Sequence, residues 1–69
     1  MEFKERFNEL IKISGKSQVQ IAEEINVSKQ CVSDYKSGKS CPSLETLCLI
    51  CKCLEVSADY LLGLTDEYR

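Results

Sequence analysis

Apolar residues recur along this chain at helical spacing. Phe3, Phe7, Leu10 and Ile11, followed by Ser14, fall at i, i+4, i+7, i+8 and i+11 with charges between them. That rhythm marks an amphipathic helix, and Gly15 is a natural stop for it. Ser17 is placed to cap a second helix in which Ile21, Ala22 and Ile25 share one side. Asn26 and Val27 interrupt, and Ser28 is placed to cap a third helix through about Ser37, ended by Gly38. The segment "GKSCPS" reads as a connection, with Pro42 just before a new cap at Ser43. Leu44, Leu47, Cys51 and Leu54 then repeat at +3, +7 and +10 and mark a fourth helix. Val56 leads into Ser57, the cap of a short fifth helix carrying Ala58, Leu61 and Leu62 and halted by Gly63. No useful stretch alternates with period two, so the expected fold is all-α, a compact five-helix bundle forming a single domain over residues 1–69.

The link between the second and third helices narrows the choice. Ile25 ends one and Ser28 caps the next, leaving about three residues between them. Two short helices joined so tightly cross steeply, at roughly 90–120°, as in a helix-turn-helix unit. Such a corner needs a small residue on the first helix, a turn residue that tolerates positive φ, and a β-branched wedge on the second. Ala22, Asn26 and Val32 supply these at offsets 0, +4 and +10, and Val27 can plug the corner. The motif then spans about 18–37. A helical alanine alone means little; the three together are restrictive.

Composition adds limits. A chain of 69 residues buries only about 60% of the surface its unfolded form exposes, so its core must be economical. Apolar residues at 43% and charged ones at 29% describe an ordinary globule rather than a disordered tail. No apolar run nears the roughly 18 residues of a membrane span, and "MEFKERF" lacks a signal-peptide pattern, so the expected location is cytoplasmic with no membrane partner. The net charge of −2 argues mildly against a polyanionic partner, but charge is uneven. Residues 28–40 hold Lys29, Lys36 and Lys39 against Asp34 alone, whereas residues 41–69 are acidic.

The stretches "SQVQIAEEINVSKQCVSDYKSGKSCPSLETL" and "LEVSADYLLGLTDE" resemble the phage Cro/repressor-type helix-turn-helix family, often called the XRE family, from about Phe3 to Glu67. The matching landmarks are Ser17–Gln18, Ala22, Val27–Ser28, Ser33–Tyr35, Gly38–Lys39, Pro42–Ser43–Leu44 and Asp59 to Gly63. The resemblance implies sequence-specific binding of double-stranded DNA by a transcriptional regulator, a repressor, as a homodimer on a two-fold operator. It also implies that the third helix enters the major groove. Lys36 stands where the family commonly has glutamate, and Asn26 where it commonly has glycine; both bear on the operator sequence rather than the fold.

Helical geometry supports that role independently. With Val32 and Tyr35 inward, Lys29, Gln30, Ser33, Asp34 and Ser37 point outward. Gln30 has the donor–acceptor pair suited to adenine, Lys29 can donate to guanine O6 and N7, Ser33 can bond either way, and Asp34 can accept from cytosine N4. These four are the expected base readers. Gln18, Ser28, Lys36, Lys39 and Ser40 are the expected phosphate contacts, Gln18 as the family's glutamine there implies. Asp34 near phosphates is repelled unless it is paired. Polar residues on an outer helix face are more often merely solvated, and the corner beneath them together with the family match reverses that ordinary reading.

Five cysteines, an odd count, do not make a closed disulfide framework. Cys48, Cys51 and Cys53 form a C-x-x-C-x-C string, but on a helix they diverge, and the chain has no histidine, so no metal or cofactor is expected. Cys51 is expected to pack as a small hydrophobe where the family tends to have alanine. A thiol sensor stays open at Cys31 on the reading helix or Cys41 in the adjacent loop. Catalysis is not expected: there is no histidine base, Glu23 and Glu24 diverge, and no glycine-rich phosphate cradle occurs.

Dimer contacts are expected from Tyr60, Leu61, Leu64 and Tyr68, with folding of these residues over the first helix as the equal alternative. The rival function is a protein-interaction module on the same scaffold, an antitoxin or a regulator's partner-binding domain, favoured by an isoelectric point near 5.0 and by Asp34.

Overall fold

The computed structural model describes residues 2–67, so the expectation for Tyr68 lies outside them. The described residues form α1 (Phe3–Ser14), α2 (Gln18–Glu24), α3 (Lys29–Ser37), α4 (Leu44–Leu54) and α5 (Ala58–Leu61), with no strand among them. Four of the five helices start on a serine. Ser17, Ser28, Ser43 and Ser57 each accept a hydrogen bond from the backbone N–H three residues on. Each such cap satisfies an orphan donor and contributes about 1 kcal/mol. The helices are too short to persist alone, so what holds them is the burial of one face apiece.

That burial builds one core. Phe3, Phe7, Leu10 and Ile11 of α1 meet Ile21 and Ala22 of α2 with its cap Ile25, Val32 and Tyr35 from α3, Leu47 and Ile50 from α4, Val56 from the α4–α5 link, and Tyr60 and Leu61 from α5. Phe3 stacks on Phe7 with ring centroids 5.1 Å apart, and Tyr35 meets Phe7 edge-on at 6.2 Å. Helix α3 ends at Gly38, whose φ of +81° suits glycine, and a Cβ there would lie 3.0 Å from Cδ of Lys4.

One expectation needs correction, and one open choice is decided. Leu44 opens the +3, +7, +10 repeat of α4 but is 85% exposed, because the first turn of α4 begins outside the core. Ile50 takes the buried place, with Cys51 and Leu54 packed part-buried beside it. At the other end, of the two alternatives the described residues take the fold-back: Tyr60 and Leu61 are core residues and are not available as a dimer surface, whereas Leu64 is largely exposed, at 73%. Arg6 explains the closure. Its guanidinium donates to the Tyr60 carbonyl at 2.9 Å, to the Thr65 carbonyl, and to Asp66 at 2.9 Å, while lying over the Tyr60 ring. The segment after α5 is thereby folded back over α1.

Candidate nucleic-acid interface

The corner between α2 and α3 is a tight turn built on the anticipated residues. Asn26 adopts φ 58°, the left-handed conformation in which asparagine is tolerated. The Val27 N–H donates to the Ala22 carbonyl at 3.0 Å, and the Ile25 N–H to the Ile21 carbonyl at 3.0 Å, closing the end of α2. Ala22 and Val32 are buried where the helices cross, and the Val27 side chain packs part-buried against the same core. Tyr35 lies one turn beyond Val32. Burial first, and then the neighbouring Cys31 thiol, push its phenol up to about 12.

This scaffold turns the start of α3 to solvent. Lys29 and Gln30 are exposed, and Ser33 and Asp34 are half-exposed behind them. Gln30 donates from Nε2 to Asp34 Oδ1 at 3.0 Å, one helical turn on. A glutamine amide nitrogen carries two hydrogens, so one remains with the acceptor oxygen to face a base edge. The pair also answers the question of Asp34: its carboxylate has a donor on the same face.

The expected phosphate contacts fall in three places. Gln18 opens α2 and donates from Nε2 to the Lys29 carbonyl at 3.1 Å, bridging the N-termini of both helices. Ser28 accepts from the Cys31 N–H at 3.1 Å as the cap of α3, which leaves its hydroxyl hydrogen for another acceptor. Both sit where helix dipoles present positive ends. Lys39 and Ser40 are exposed beyond α3, and their N–H groups turn back to the Asp34 carbonyl at 2.9 and 3.4 Å. Lys36 is set apart from these. Its carbonyl accepts from Asn8 of α1 at 2.8 Å, and with Glu5, Asn8, Glu9, Ile11 and Lys12 it lines a shallow depression on the α1 side. Glu5, Glu9 and Lys12 of α1 thus share that depression with Lys36, a setting that spacing along α3 alone did not signal.

The cysteines are scattered over different surroundings. Cys41 and Cys48 are exposed, whereas Cys31, Cys51 and Cys53 are half-buried. Helix α4 runs unbroken through the C-x-x-C-x-C string, and among the described residues no cluster of metal-ligating side chains forms. Cys51 packs against the core, and burial, then Cys48, raises its thiol. Cys53 instead meets Glu24 and Lys16, a grouping that sequence spacing could not reveal because 37 residues separate Lys16 from Cys53.

Comparison with known proteins gives a consistent picture. A family model described as helix-turn-helix matches residues 8–61. The chain is 41% identical over 69 residues to the cryptic phage CTXphi transcriptional repressor RstR of Vibrio cholerae, covering 97% of this chain and 62% of RstR. It is 33% identical over 63 residues to the uncharacterized HTH-type transcriptional regulator YobD of Bacillus subtilis, covering 91% of this chain and 56% of YobD. It is also 39% identical over 63 residues to the HTH-type transcriptional activator BcrR of Enterococcus faecalis, covering 91% of this chain and 31% of BcrR. The chain therefore spans less than two thirds of the length of each of these relatives. No solved structure matches it. The left-handed turn at Asn26, the buried Val32 and the family match over residues 8–61 agree: this chain belongs to the helix-turn-helix family of the Cro/repressor type.

Proposed function

We propose that this chain is a sequence-specific DNA-binding domain of a transcriptional regulator, a repressor, that sets α3 in the major groove of double-stranded DNA. The observation that carries the reading is the exposure of Lys29 and Gln30 at the N-terminal end of α3, above a corner packed on Ala22 and Val32. Lys29 then donates to guanine O6 and N7, Gln30 reads adenine with its free hydrogen and Oε1, Ser33 bonds either partner, and Asp34 accepts from cytosine N4 while holding Gln30. Gln18, Ser28, Lys39 and Ser40 meet phosphates on either side, and Lys36 reaches the backbone only from the α1 flank. RstR, similar over nearly the whole chain, is named as a repressor, which supports repression.

Two copies acting on a two-fold operator would place half-sites about 34–36 Å apart. Such a regulator works in the cytoplasm, where the DNA is. Among the described residues no helix is long and apolar enough to cross a membrane.

Selection from random duplexes at moderate salt, followed by titration of the winning site over a salt series, tests the reading. One sequence should emerge, and log affinity should fall linearly with log salt. No enriched sequence, or an affinity indifferent to salt, would overturn it in favour of a protein-interaction module.

A further inference from the structure

Away from the exposed face of α3, the fold gathers a second set of reactive side chains. Lys16, in the link between α1 and α2, donates from Nζ to Glu24 Oε1 at 2.8 Å and to the Cys53 carbonyl at 3.0 Å. The Cys53 thiol, at the end of α4, donates to the same Glu24 Oε1 at 3.3 Å. One carboxylate oxygen therefore holds an amine and a thiol from two other elements side by side, with Nζ 3.7 Å from Sγ. Lys16 and Glu24 side chains are 27% and 35% exposed, so a small oxidant can reach the group. Lys16 and Glu24 lie outside the core, and Cys53 packs part-buried against its edge.

We propose that Lys16 and Cys53 form a covalent modification site, at which dioxygen joins them through an N–O–S bridge between the α1–α2 link and the end of α4. The Lys16 ammonium first gives one proton to base in the alkaline solvent. The thiol S–H bond, one amine N–H bond and the O–O bond then break, and S–O and N–O bonds form. One oxygen atom stays in the bridge, and the other leaves as water with the thiol hydrogen and one amine hydrogen. Sulfur and nitrogen each give up two electrons, which together balance the four taken by dioxygen. Glu24 is the positioning residue: its single oxygen sets the amine beside the thiol.

The resting cluster keeps its protons on the reacting atoms. The Glu24 hydrogen bond raises the Lys16 ammonium, and that bond from Lys16, then the one from Cys53, lowers Glu24. Burial, then Glu24, raises the Cys53 thiol. Bridge formation therefore speeds up from neutral to alkaline pH, as amine and thiol lose protons.

Mass spectrometry decides the matter. The unaltered chain is held in air-saturated alkaline buffer, with a dioxygen-free sample beside it, then alkylated and digested with trypsin without reductant. In air, the peptides bearing Lys16 and Cys53 should be recovered joined, heavier than their sum by one oxygen less two hydrogens, with no cleavage after Lys16. Thiol reductant should separate them, and the dioxygen-free sample should lack the joined species. Lys16→Arg keeps a cation for Glu24 but has no primary amine, and its Cys53 should stay open to alkylation. Cys53 recovered in air as an alkylated thiol, a sulfenic or sulfinic acid or a disulfide, with Lys16 cleaved normally, would overturn the proposal. Joined peptides lacking the extra oxygen would overturn it as well.

Discussion

The side-chain amide of Gln18 donates to the backbone carbonyl of Lys29 at 3.1 Å, tying the first turn of α2 to the first turn of α3. The two helix ends that face a duplex in the proposed complex are thus joined by a side chain that still has an acceptor and a second amide hydrogen to offer.

That bridge predicts how two phosphate contacts differ. Gln18→Ala removes a neutral donor and should cost about 1–2 kcal/mol of affinity on matched and scrambled duplexes alike. Because no charge is lost, its salt slope should equal that of the unaltered chain. Lys39→Ala should also weaken every duplex but flatten the log–log salt slope by about 1. Fluorescence anisotropy over a salt series separates the two. A flattened slope in the glutamine variant would remove the assigned distinction.

The hydrogen bond from Gln30 to Asp34 predicts a division between reading and positioning. Gln30→Ala should relax preference at one base position by about 1–3 kcal/mol. Asp34→Ala should relax preference for its own cytosine and, less strongly, at the glutamine's position by freeing that rotamer, while removing a carboxylate that phosphates repel. Repeating the duplex selection with each variant checks this. An unchanged preference at the glutamine's position in the Asp34 variant would mean that the two residues act apart.

Asn26 predicts the tolerance of the corner. Its φ of 58° costs a β-branched residue more than asparagine, so Asn26→Val should lower stability by about 1–2 kcal/mol. Asn26→Gly should fold with little change, since glycine reaches the same conformation freely. Urea titrations with an unchanged m-value are the measurement. Equal midpoints for the valine and glycine variants would argue that the conformation is not what the corner requires.

Tyr35 predicts a pH dependence. Burial, followed by Cys31, lifts its phenol from the usual 10.0 to about 12. Because the folded value is the higher, folding favours the neutral phenol, and that contribution is complete below pH 10.0 and fades as pH climbs toward about 12. Tyr35→Phe should therefore lose stability less steeply through that window than the unaltered chain. The rest of the sequence is common to both proteins, so the difference between their urea midpoints reports the tyrosine together with its Cys31 contact.

Local chemistry made much of the fold readable in advance. The four serine caps, the left-handed Asn26 and the buried Ala22–Val32 crossing all follow from residue type and offset, which act over one or two turns. Leu44 and Ile50 exchanged roles because helical spacing gives a face but not where along the helix the core begins. Glu55 takes φ 57° and ends α4 although glutamate gives no sign of a left-handed stop; Val56 N–H donating to the Cys51 carbonyl at 3.0 Å closes that end. The same limit applies to the candidate site. Exposure of Lys29 and Gln30 follows from periodicity, but the Gln18–Lys29 bridge and the depression that Lys36 shares with α1 depend on how helices settle against one another.

The elbow at Asn26 has an evolutionary corollary. Its angle is set by backbone hydrogen bonds and by the hidden faces of Ala22 and Val32, none of which is among the side chains proposed to touch bases. Lys29, Gln30 and Ser33 can consequently be exchanged for other polar residues at small expense to folding, so that a lineage can acquire new binding-site preferences one substitution at a time on an inherited chassis.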